Sequence, residues 1–568
     1  MPLRWTGLVF HYPPLLTALG VLFVLEFSME SSTQREYLSF GDALFLHLER
    51  EGIPINIASV AIFEGNIRFE ELLPYVEAKL SQVPRCMQRV VEPPFNIGLP
   101  CLEYDPEFDF RNHVHETTLK HGTDAELKEF AGKLFSENLD RNRPLWDFFL
   151  VRGLKRNRTA LIARIHHSMA DGMSGVAFLN ALMDTSPEVP HLVRKKLEVP
   201  VSPPRDPATT LLDSLTSSWF LTVQRLLNAQ SDILTMARQI VRQPAPVNGH
   251  GAATPSPTHH ASLPNMDDLS QIFPEIASAP ERMPFNVVCK GPQNFDWCDI
   301  PFDSLRAVKN AFGCSFNDVA LAAVTATFAK YAEYRGADLN GRSLRIVVPV
   351  NTRPPEDDRS GMGNEITFVP VAVPLDIRDP KQLIAAAHQR MTMIKQAKIA
   401  EMVMLAGALI SAIPSPVQVL IGPLAAQLPL TLCNLIFTNV PGPRQTLYVL
   451  GHRMLKAYPY VPIGGEMGAN CALLTYDGYA YFGFSCDSVA TPEHHLLPKF
   501  LHETVAEFRA AFGLDEEIKP RVNKPRAVKN SSAKKRVTKR KPRAVKTSAE
   551  RVQEKLVELE REFAMASD

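Results

Sequence analysis

The chain has few cysteines, eight in 568 residues, and none belongs to a Cys-x-x-Cys pair or to a Cys/His cluster with zinc-site spacing. This scatter argues against a disulfide framework and is typical of reduced thiols in a cytosolic protein. The sequence also has no glycine-rich phosphate loop. We therefore expect neither a metal nor a bound cofactor.

Acidic residues are missing from one stretch near the end of the chain. Lys519–Thr547 contains 13 Lys and Arg residues and no Asp or Glu, although the whole chain balances 61 basic against 61 acidic residues. The rest of the protein is therefore acidic, and this stretch is a basic tail. Its KPRAVK segment occurs twice and is too polar to form a core, so we predict disorder over residues 516–548. Residues 549–568 have the spacing of a short amphipathic helix.

Charged residues are also absent from Met402–Pro443, a span of 42 positions. The prolines within it prevent one continuous membrane-spanning helix. Two interpretations stay open. The span is either a pair of buried core helices or an apolar surface or tunnel wall that meets lipid.

The first 28 residues form a further apolar stretch. It suits a membrane span poorly, because Leu8–Phe27 includes His11, two prolines and Glu26. No small-residue cleavage site stands out before Met29. A weak membrane anchor, a degenerate signal and an upstream extension with the true start at Met29 are three interpretations, of which we favour the extension.

Composition divides the remaining sequence at one linker. Residues 244–265 are rich in proline, glycine, alanine, serine and threonine, which is typical of a flexible connection. We expect an N-terminal extension over residues 1–37, an N-terminal lobe over residues 38–243 and a C-terminal lobe over residues 266–515. Predicted strands alternate with predicted helices in both lobes, so the predicted fold class is mixed α/β or α+β.

Hydrophobic periodicity and start signals locate the main elements. Asp477-Gly478 has the sequence of a tight hairpin turn. The predicted helices are Ser39–Glu49, Glu70–Val83, Asp124–Asn138, Met173–Met183, Thr209–Gln243, and Cys314–Tyr331 with Ser315 as its N-cap. The predicted strands are Ile57–Phe63, Thr159–Ile165, Leu344–Val350, Phe368–Pro374, Ala469–Tyr476 and Tyr479–Ser485.

Residues whose side chains can take part in catalysis cluster where the Thr159–Ile165 strand is predicted to end. They are His166, His167, Asp171 and Gly172. Adjacent residues on a strand face opposite sides, so only one histidine can point into a cleft while the other packs behind it. A neutral imidazole can accept a proton from a hydroxyl group. The carboxylate that follows can pair with an arginine or orient a ring, and Gly172 permits a close turn.

Further short segments accompany the histidines in a fixed order along the chain. They are Ser39–Glu49, Arg143-Pro144-Leu145-Trp146, Asn317-Asp318, Asn439–Pro443, Tyr476–Gly478, Phe482-Gly483 and Asp487. The histidine segment matches the HHxxxDG motif and so resembles the CoA-dependent acyltransferase superfamily. In combination, the segments resemble the bacterial wax ester synthase/diacylglycerol acyltransferase family over about residues 38–512.

The resemblance implies a two-lobed, chloramphenicol-acetyltransferase-like fold with a substrate tunnel between the lobes. It implies transfer of a long-chain fatty acyl group from acyl-CoA to diacylglycerol or to a long-chain alcohol. His167 is then the general base, and no acyl-enzyme forms. His166, Asp171 and Gly172 support the site, and Asn317 orders it or donates a hydrogen bond.

Several of these residues have a second interpretation. Pro144, Leu145 and Trp146 are candidate substrate-binding residues, with ordinary packing as the alternative. Asp318 is a further candidate, with a favourable charge at a helix start as its alternative. Asn317 is alternatively a helix-start residue without a catalytic part.

Two other functions stay open. One is a different HHxxxDG acyltransferase or a condensation-type enzyme. The other is a non-enzymatic lipid-body coat or polyanion tether that works through the basic tail. For partners we expect acyl-CoA, the acceptor lipid and a membrane or lipid-droplet surface, with nucleic acid less favoured. The expected location is the cytoplasm, at the inner face of the cell membrane or on lipid bodies.

Overall fold

A computed structural model of the chain describes residues 36–93, 100–169, 181–188, 267–268, 270–272, 278–351, 366–403, 433–443 and 445–514. All of them belong to one unit, Met1–Asn523, and the second unit, Lys524–Asp568, lies outside the described residues. The predicted helix Thr209–Gln243, the linker, most of Met402–Pro443, the basic tail and the final helix also lie outside them, as does Met173–Met183 before residue 181.

The strands are β1 (Glu36–Tyr37), β2 (Asn56–Glu64), β3 (Gln88–Val91), β4 (Cys101–Tyr104), β5 (Val114–Thr118), β6 (Trp146–Leu154), β7 (Arg158–His166), β8 (Gln293–Pro301), β9 (Ser343–Asn351), β10 (Ile366–Pro374), β11 (Leu435–Val440), β12 (Tyr448–Val449), β13 (His452–Tyr460), β14 (Ala469–Tyr476) and β15 (Tyr479–Asp487). Helices with both ends described are α1 (Phe40–Leu48), α2 (Phe69–Leu80), α3 (Asp124–Phe135), α4 (Phe302–Phe312), α5 (Phe316–Tyr334), α6 (Pro380–Gln396) and α7 (Leu496–Ala511).

The first large sheet has six strands in the order β12-β13-β2-β7-β6-β5. Its central strands β2 and β7 are antiparallel and pair from Asn56 opposite His166 to Glu64 opposite Arg158. Every residue of β7 after Arg158 is buried. A strand covered on both faces needs a continuous apolar run rather than alternation, which explains the sequence TALIARI.

Two strands of this first sheet come from the second half of the chain. β13 pairs with β2 from Met454 opposite Phe63 to Tyr460 opposite Ala58, and β12 pairs with β13. The predicted lobes leave this exchange out, because nothing in the periodicity of residues 448–460 says which strand they pair with. The lobe boundaries themselves stay a prediction.

The second large sheet has the order β10-β9-β11-β14-β15-β8. β11 runs parallel to both of its neighbours, and the other pairs are antiparallel. The predicted hairpin between β14 and β15 is confirmed. Asp477 and Gly478 both have positive φ, 43° and 84°, as the tight primed turn requires. A small third sheet has the order β1-β4-β3.

The predicted helix starts at Ser39 and Ser315 are confirmed by their hydrogen bonds. The Ser39 hydroxyl accepts from the Asp42 N–H at the start of α1, and Ser315 forms a capping box with Asp318 at the start of α5. The ends of α2 and α3 come earlier than predicted, at Leu80 and Phe135. For α2, Pro84 disfavours helical backbone at the residue before it. For α3, the Ser136 hydroxyl donates a hydrogen bond to the Gly132 carbonyl at the helix end.

Within the described part of the chain, no single helix is long and apolar enough to cross a membrane. Helices α4 and α5 together have the length and the apolar composition of a membrane span, but the chain bends by 109° between them. Much of α5 is buried in the second sheet's core.

The two large sheets pack closely where β15 passes β13. At Gly483 in β15, a Cβ atom would stand 1.9 Å from the Pro459 carbonyl oxygen and 2.9 Å from the Phe295 ring. The first neighbour is backbone in the other sheet, which no side-chain rotation can move. Gly483 therefore sets the spacing between the sheets.

We predict that Gly483→Ala lowers the free energy of unfolding by about 2 kcal/mol or more, because overpacking against backbone forces the sheets apart. Urea unfolding followed by tryptophan fluorescence measures the effect. Gly464→Ala is the matched control, since its added Cβ meets only Ile53 and Ile55 side-chain atoms at 3.7 Å. Equal midpoints for the two variants would contradict the assigned role of Gly483.

Candidate active site

His166 is the last residue of β7 and is fully buried. Its ring Nδ1 accepts a hydrogen bond from the Ser168 N–H at 3.1 Å and lies 2.7 Å from the Ser168 Oγ. Its Nε2 lies 3.5 Å from Oε1 of Glu49. The His166 N–H donates to the Leu145 carbonyl at 2.9 Å. Nδ1 and the backbone N–H are thus hydrogen-bonded, whereas Nε2 is buried and faces the Glu49 carboxylate without a hydrogen bond.

His167 follows in the turn after β7 and is half-buried. Its ring stacks on Phe45 of α1, with centroids 4.0 Å apart and planes inclined by 22°. Its N–H donates to the Ile55 carbonyl at 2.9 Å. His166 is therefore the fully buried member of the pair, and His167 is the half-buried one.

Glu49 is a member of this group that the sequence analysis did not identify. It caps the C-terminal end of α1, and its side chain is only 4% exposed. Its Oε2 accepts hydrogen bonds from Arg141 Nε at 3.2 Å and from the second guanidinium nitrogen at 3.0 Å. Burial favours a raised pKa, but His166 and Arg141 outweigh it and hold the pKa of Glu49 at about 2.

A sequence signal for Glu49 did exist. An acidic side chain at the C-terminal end of a helix faces the negative end of the helix dipole. Such a placement is unfavourable unless a cation compensates for it, and here Arg141 lies nearby. The cation is remote in sequence, so the signal does not say which residue it is.

Arg164 lies two residues before His166, on the same face of β7. Its guanidinium forms a buried pair with Asp147, at 2.9 Å and 2.5 Å to the two carboxylate oxygens. It also donates to the carbonyls of Leu134 and Glu137, at the end of α3. Through these bonds, Arg164 holds the C-terminal end of β7 against the end of α3.

Pro144, Leu145 and Trp146 lie in the core beside the histidine strand. Leu145 and Trp146 are each 1% exposed, and the Trp146 Nε1 donates to the Cys86 carbonyl at 2.8 Å. The His113 ring stacks on Trp146 with centroids 4.6 Å apart. These contacts favour the packing interpretation, with Leu145 supporting His166 through its carbonyl.

Asn317 and Asp318 lie in the first turn of α5. The exposed Asn317 accepts a hydrogen bond from the Asn439 side-chain amide, which joins two of the segments noted in the sequence. Asp318 is 2% exposed, and its Oδ2 lies 2.9 Å from the Ser315 N–H and 2.7 Å from Nδ1 of His388. Asp318 therefore fixes the helix start that presents Asn317.

The Asn317–Asn439 pair lies where the second sheet meets the first core. Asn439 and Val440 end β11 in the second sheet, and Val440 packs against the core cluster that contains Ile165 and Trp146. Val440 therefore links the end of β11 to the core that surrounds β7. Asp171 and Gly172 lie outside the described residues.

Two further residues of the motif segments have structural roles. Ser168 is 1% exposed and is bonded to His166, so its hydroxyl is not placed as a nucleophile. Asp487 is fully buried, and its carboxylate accepts from the N–H groups of Lys290, Gly291, Val489 and Ala490. It thereby joins two loops beside β8 and β15. Among the residues that the structure describes, no His, Cys, Asp and Glu side chains group as a metal site requires.

Two sheets with a paired histidine at the end of a buried strand place the chain among the CoA-dependent acyltransferase folds. The wax ester synthase/diacylglycerol acyltransferase from Marinobacter aquaeolei VT8 superposes with a TM-score of 0.54 at 20% identity, covering 84% of this chain and all of that one. A mutant starter condensation domain of rhizomide synthetase, in complex with C8-CoA, gives 0.51 at 12% identity, covering 86% and 97%.

Sequence comparison gives the family within this class. The wax ester synthase/diacylglycerol acyltransferase catalytic domain matches residues 38–320, and the C-terminal domain of the same family matches residues 362–509. The chain belongs to this family and is an acyltransferase. A Mycobacterium tuberculosis H37Rv protein named as a diacylglycerol O-acyltransferase is 27% identical over 479 residues, which cover 84% of this chain and 96% of the relative. Another from the same strain is 28% identical over 424 residues, covering 72% and 83%.

The depressed pKa of Glu49 predicts a pH-dependent contribution to stability. The carboxylate stabilises the fold fully above its unfolded pKa of 4.5, and this contribution is lost as pH falls toward the folded pKa of about 2. We expect wild type to lose more unfolding free energy than Glu49→Gln between pH 6 and pH 3 in urea titrations. The exposed Glu51→Gln should follow wild type, and a difference between wild type and Glu49→Gln that does not change with pH would count against this.

Proposed function

We propose that this chain transfers a long-chain acyl group from acyl-CoA to diacylglycerol or to a long-chain alcohol, with His167 as the general base. One observation carries the choice of base. Both ring nitrogens of His166 face Ser168 and Glu49 in the interior, whereas the half-buried His167 presents its ring beside Phe45.

The acceptor class is supported by the relatives. Proteins named as diacylglycerol O-acyltransferases match this chain over most of both lengths. The family model names wax ester synthesis and diacylglycerol acylation together. We therefore keep both acceptors in the proposal.

The proposed reaction is a direct transfer. His167 takes the proton of the acceptor hydroxyl as that oxygen attacks the thioester carbonyl. The carbon–sulfur bond then breaks, the ester is released, and the proton returns to the CoA thiolate. Ser168 is buried against His166, which supports a route without an acyl-enzyme. Proton transfer supplies a factor of about 10²–10⁴, so positioning and charge stabilisation supply the rest.

Asn317 and Asn439 are the candidates for ordering the reacting groups from the second sheet. Their amides are already joined to each other, and Asp318 holds the helix turn below them. A fixed amide dipole requires no reorganisation when charge develops on the thioester oxygen. We propose this role for the pair as a unit.

We predict that His167→Ala abolishes acceptor-dependent CoA release from palmitoyl-CoA, because alanine cannot take the hydroxyl proton. Hexadecanol and dipalmitoylglycerol, offered separately, rank the two acceptors. His121→Ala, at an exposed loop position, is the matched control and should keep wild-type rates.

Other outcomes point to the competing functions. Retained release in a folded His167→Ala enzyme would exclude His167 as the base. A folded wild type that releases no CoA with either acceptor would favour a different acyl donor or acceptor, as in a condensation-type enzyme, or a non-enzymatic coat.

We also propose that the enzyme attaches peripherally to anionic membrane through its basic tail. The body of the protein is acidic, and Lys519–Thr547 is its one strongly basic run in sequence. Basic segments near an anionic surface gain about 1 kcal/mol per Lys or Arg.

We predict that a chain ending at Asp515 loses flotation with phosphatidylserine vesicles and that added salt weakens binding of the full chain. Neutral vesicles are the control. Unchanged flotation of the shortened chain would remove the tail from the proposal, and tighter binding to DNA than to vesicles would favour the polyanion tether.

A further inference from the structure

We propose that Glu49 is a positioning residue that holds both histidines of the site, through the ring of His166 and through the backbone of His167. The inference rests on the proposed role of His167 as the base. It concerns the end of α1, which the proposed reaction does not otherwise use.

The first link is the ring of His166. The Ser168 N–H can only donate, so Nδ1 of His166 at 3.1 Å must be an acceptor and carries no proton. The neutral ring therefore carries its proton on Nε2, and this nitrogen faces Oε1 of Glu49 at 3.5 Å. The charged carboxylate favours this tautomer and this ring orientation over the flipped ring.

The second link runs through Ile55. Its N–H donates to Oε1 of Glu49 at 3.4 Å, and its carbonyl accepts from the His167 N–H at 2.9 Å. One residue thus joins the carboxylate to the backbone of His167. The next residue, Asn56, is directly opposite His166 in the β2–β7 ladder. A shift of Glu49 would therefore change the positions of both histidines.

The third link is α1 itself. Phe45 and Glu49 are four residues apart, so they lie on the same side of the helix end. Phe45 stacks on the His167 ring, and Glu49 faces the His166 ring. The helix end therefore contacts one histidine with an aromatic face and the other with a carboxylate.

Arg141 holds the carboxylate in this position. Besides its two bonds to Glu49, its guanidinium donates to the Leu46 carbonyl at 2.5 Å, which ties it to α1. It also lies 3.4 Å from Glu92, and its side chain is 40% exposed. Arg141 therefore stays solvated when Glu49 is neutralised, which makes a Gln variant a fair test.

The test is steady-state kinetics of Glu49→Gln, which keeps the shape and removes the charge. We expect kcat to fall about tenfold or more while KM for palmitoyl-CoA and hexadecanol stays within about twofold, because misplacing a general base costs rate rather than binding. The acid limb of the kcat/KM profile should move to lower pH, because Glu49→Gln removes a negative charge that favours the imidazolium form of the proposed base His167. A merely structural role of Glu49 would not move this limb.

Three variants act as comparisons. Glu51→Gln is the matched control at an exposed position of the same loop and should match wild type. Glu49→Asp keeps the charge, so its acid limb should stay nearer to that of wild type even when its kcat falls. Phe45→Leu removes the aromatic contact without a charge, so kcat should fall with the acid limb unmoved.

The outcomes separate the two proposals. Wild-type kcat and pH profile in Glu49→Gln, with His167→Ala inactive, would overturn the role of Glu49 alone. Activity in His167→Ala would overturn the proposed base instead. If Glu49→Gln does not fold, ¹⁵N-histidine NMR of the wild-type chain decides. The His166 signal, assigned by its change in Ser168→Ala, should show an unprotonated Nδ1, and a protonated Nδ1 would overturn the inference.

Discussion

The pairing of β2 with β7 is the interaction on which the rest of the structure depends. The two strands form a ladder at the centre of the first sheet, and β7 is buried along its length after Arg158. A buried strand that ends in polar residues needs other polar groups near its end, because unpaired polar groups in the interior cost free energy. The Asp147 carboxylate pairs with Arg164, Ser168 is hydrogen-bonded to His166, and the Glu49 carboxylate faces the His166 ring. The site is therefore a consequence of how this strand ends.

The same ladder explains why the two halves of the chain act as one body. β2 has β7 on one side and β13, from the second half, on the other. The pairing of Lys456 with Ile62 joins residues far apart in sequence, and long-range pairing of this kind is associated with slow folding. Phe295, Trp297 and Tyr481 of the second sheet lie in the first core, so the two cores are not independent.

Local signals sufficed for much of this fold. Ser39 and Ser315 predict two helix starts, Asp477-Gly478 predicts a hairpin, and the apolar run before His166 predicts the buried strand, all of which the structure confirms. The membership of the histidine pair in the site also follows from a contiguous motif. Glu49 was not predicted as a site residue, and no structural role was predicted for Asp487, because their partners are brought together only by the folded chain. The exchange of β12 and β13 was missed for the same reason.

The strand exchange also limits how the protein can be divided. An isolated N-terminal lobe would present β2 as an open edge, with unpaired N–H and C=O groups along a strand made for pairing. An isolated C-terminal lobe would carry β13 paired only with the two-residue strand β12. Two copies with exchanged lobes could satisfy both edges, with β13 of one copy on β2 of the other. The β2–β13 pairing that joins the two halves of one chain would thus join two chains in a domain-swapped dimer.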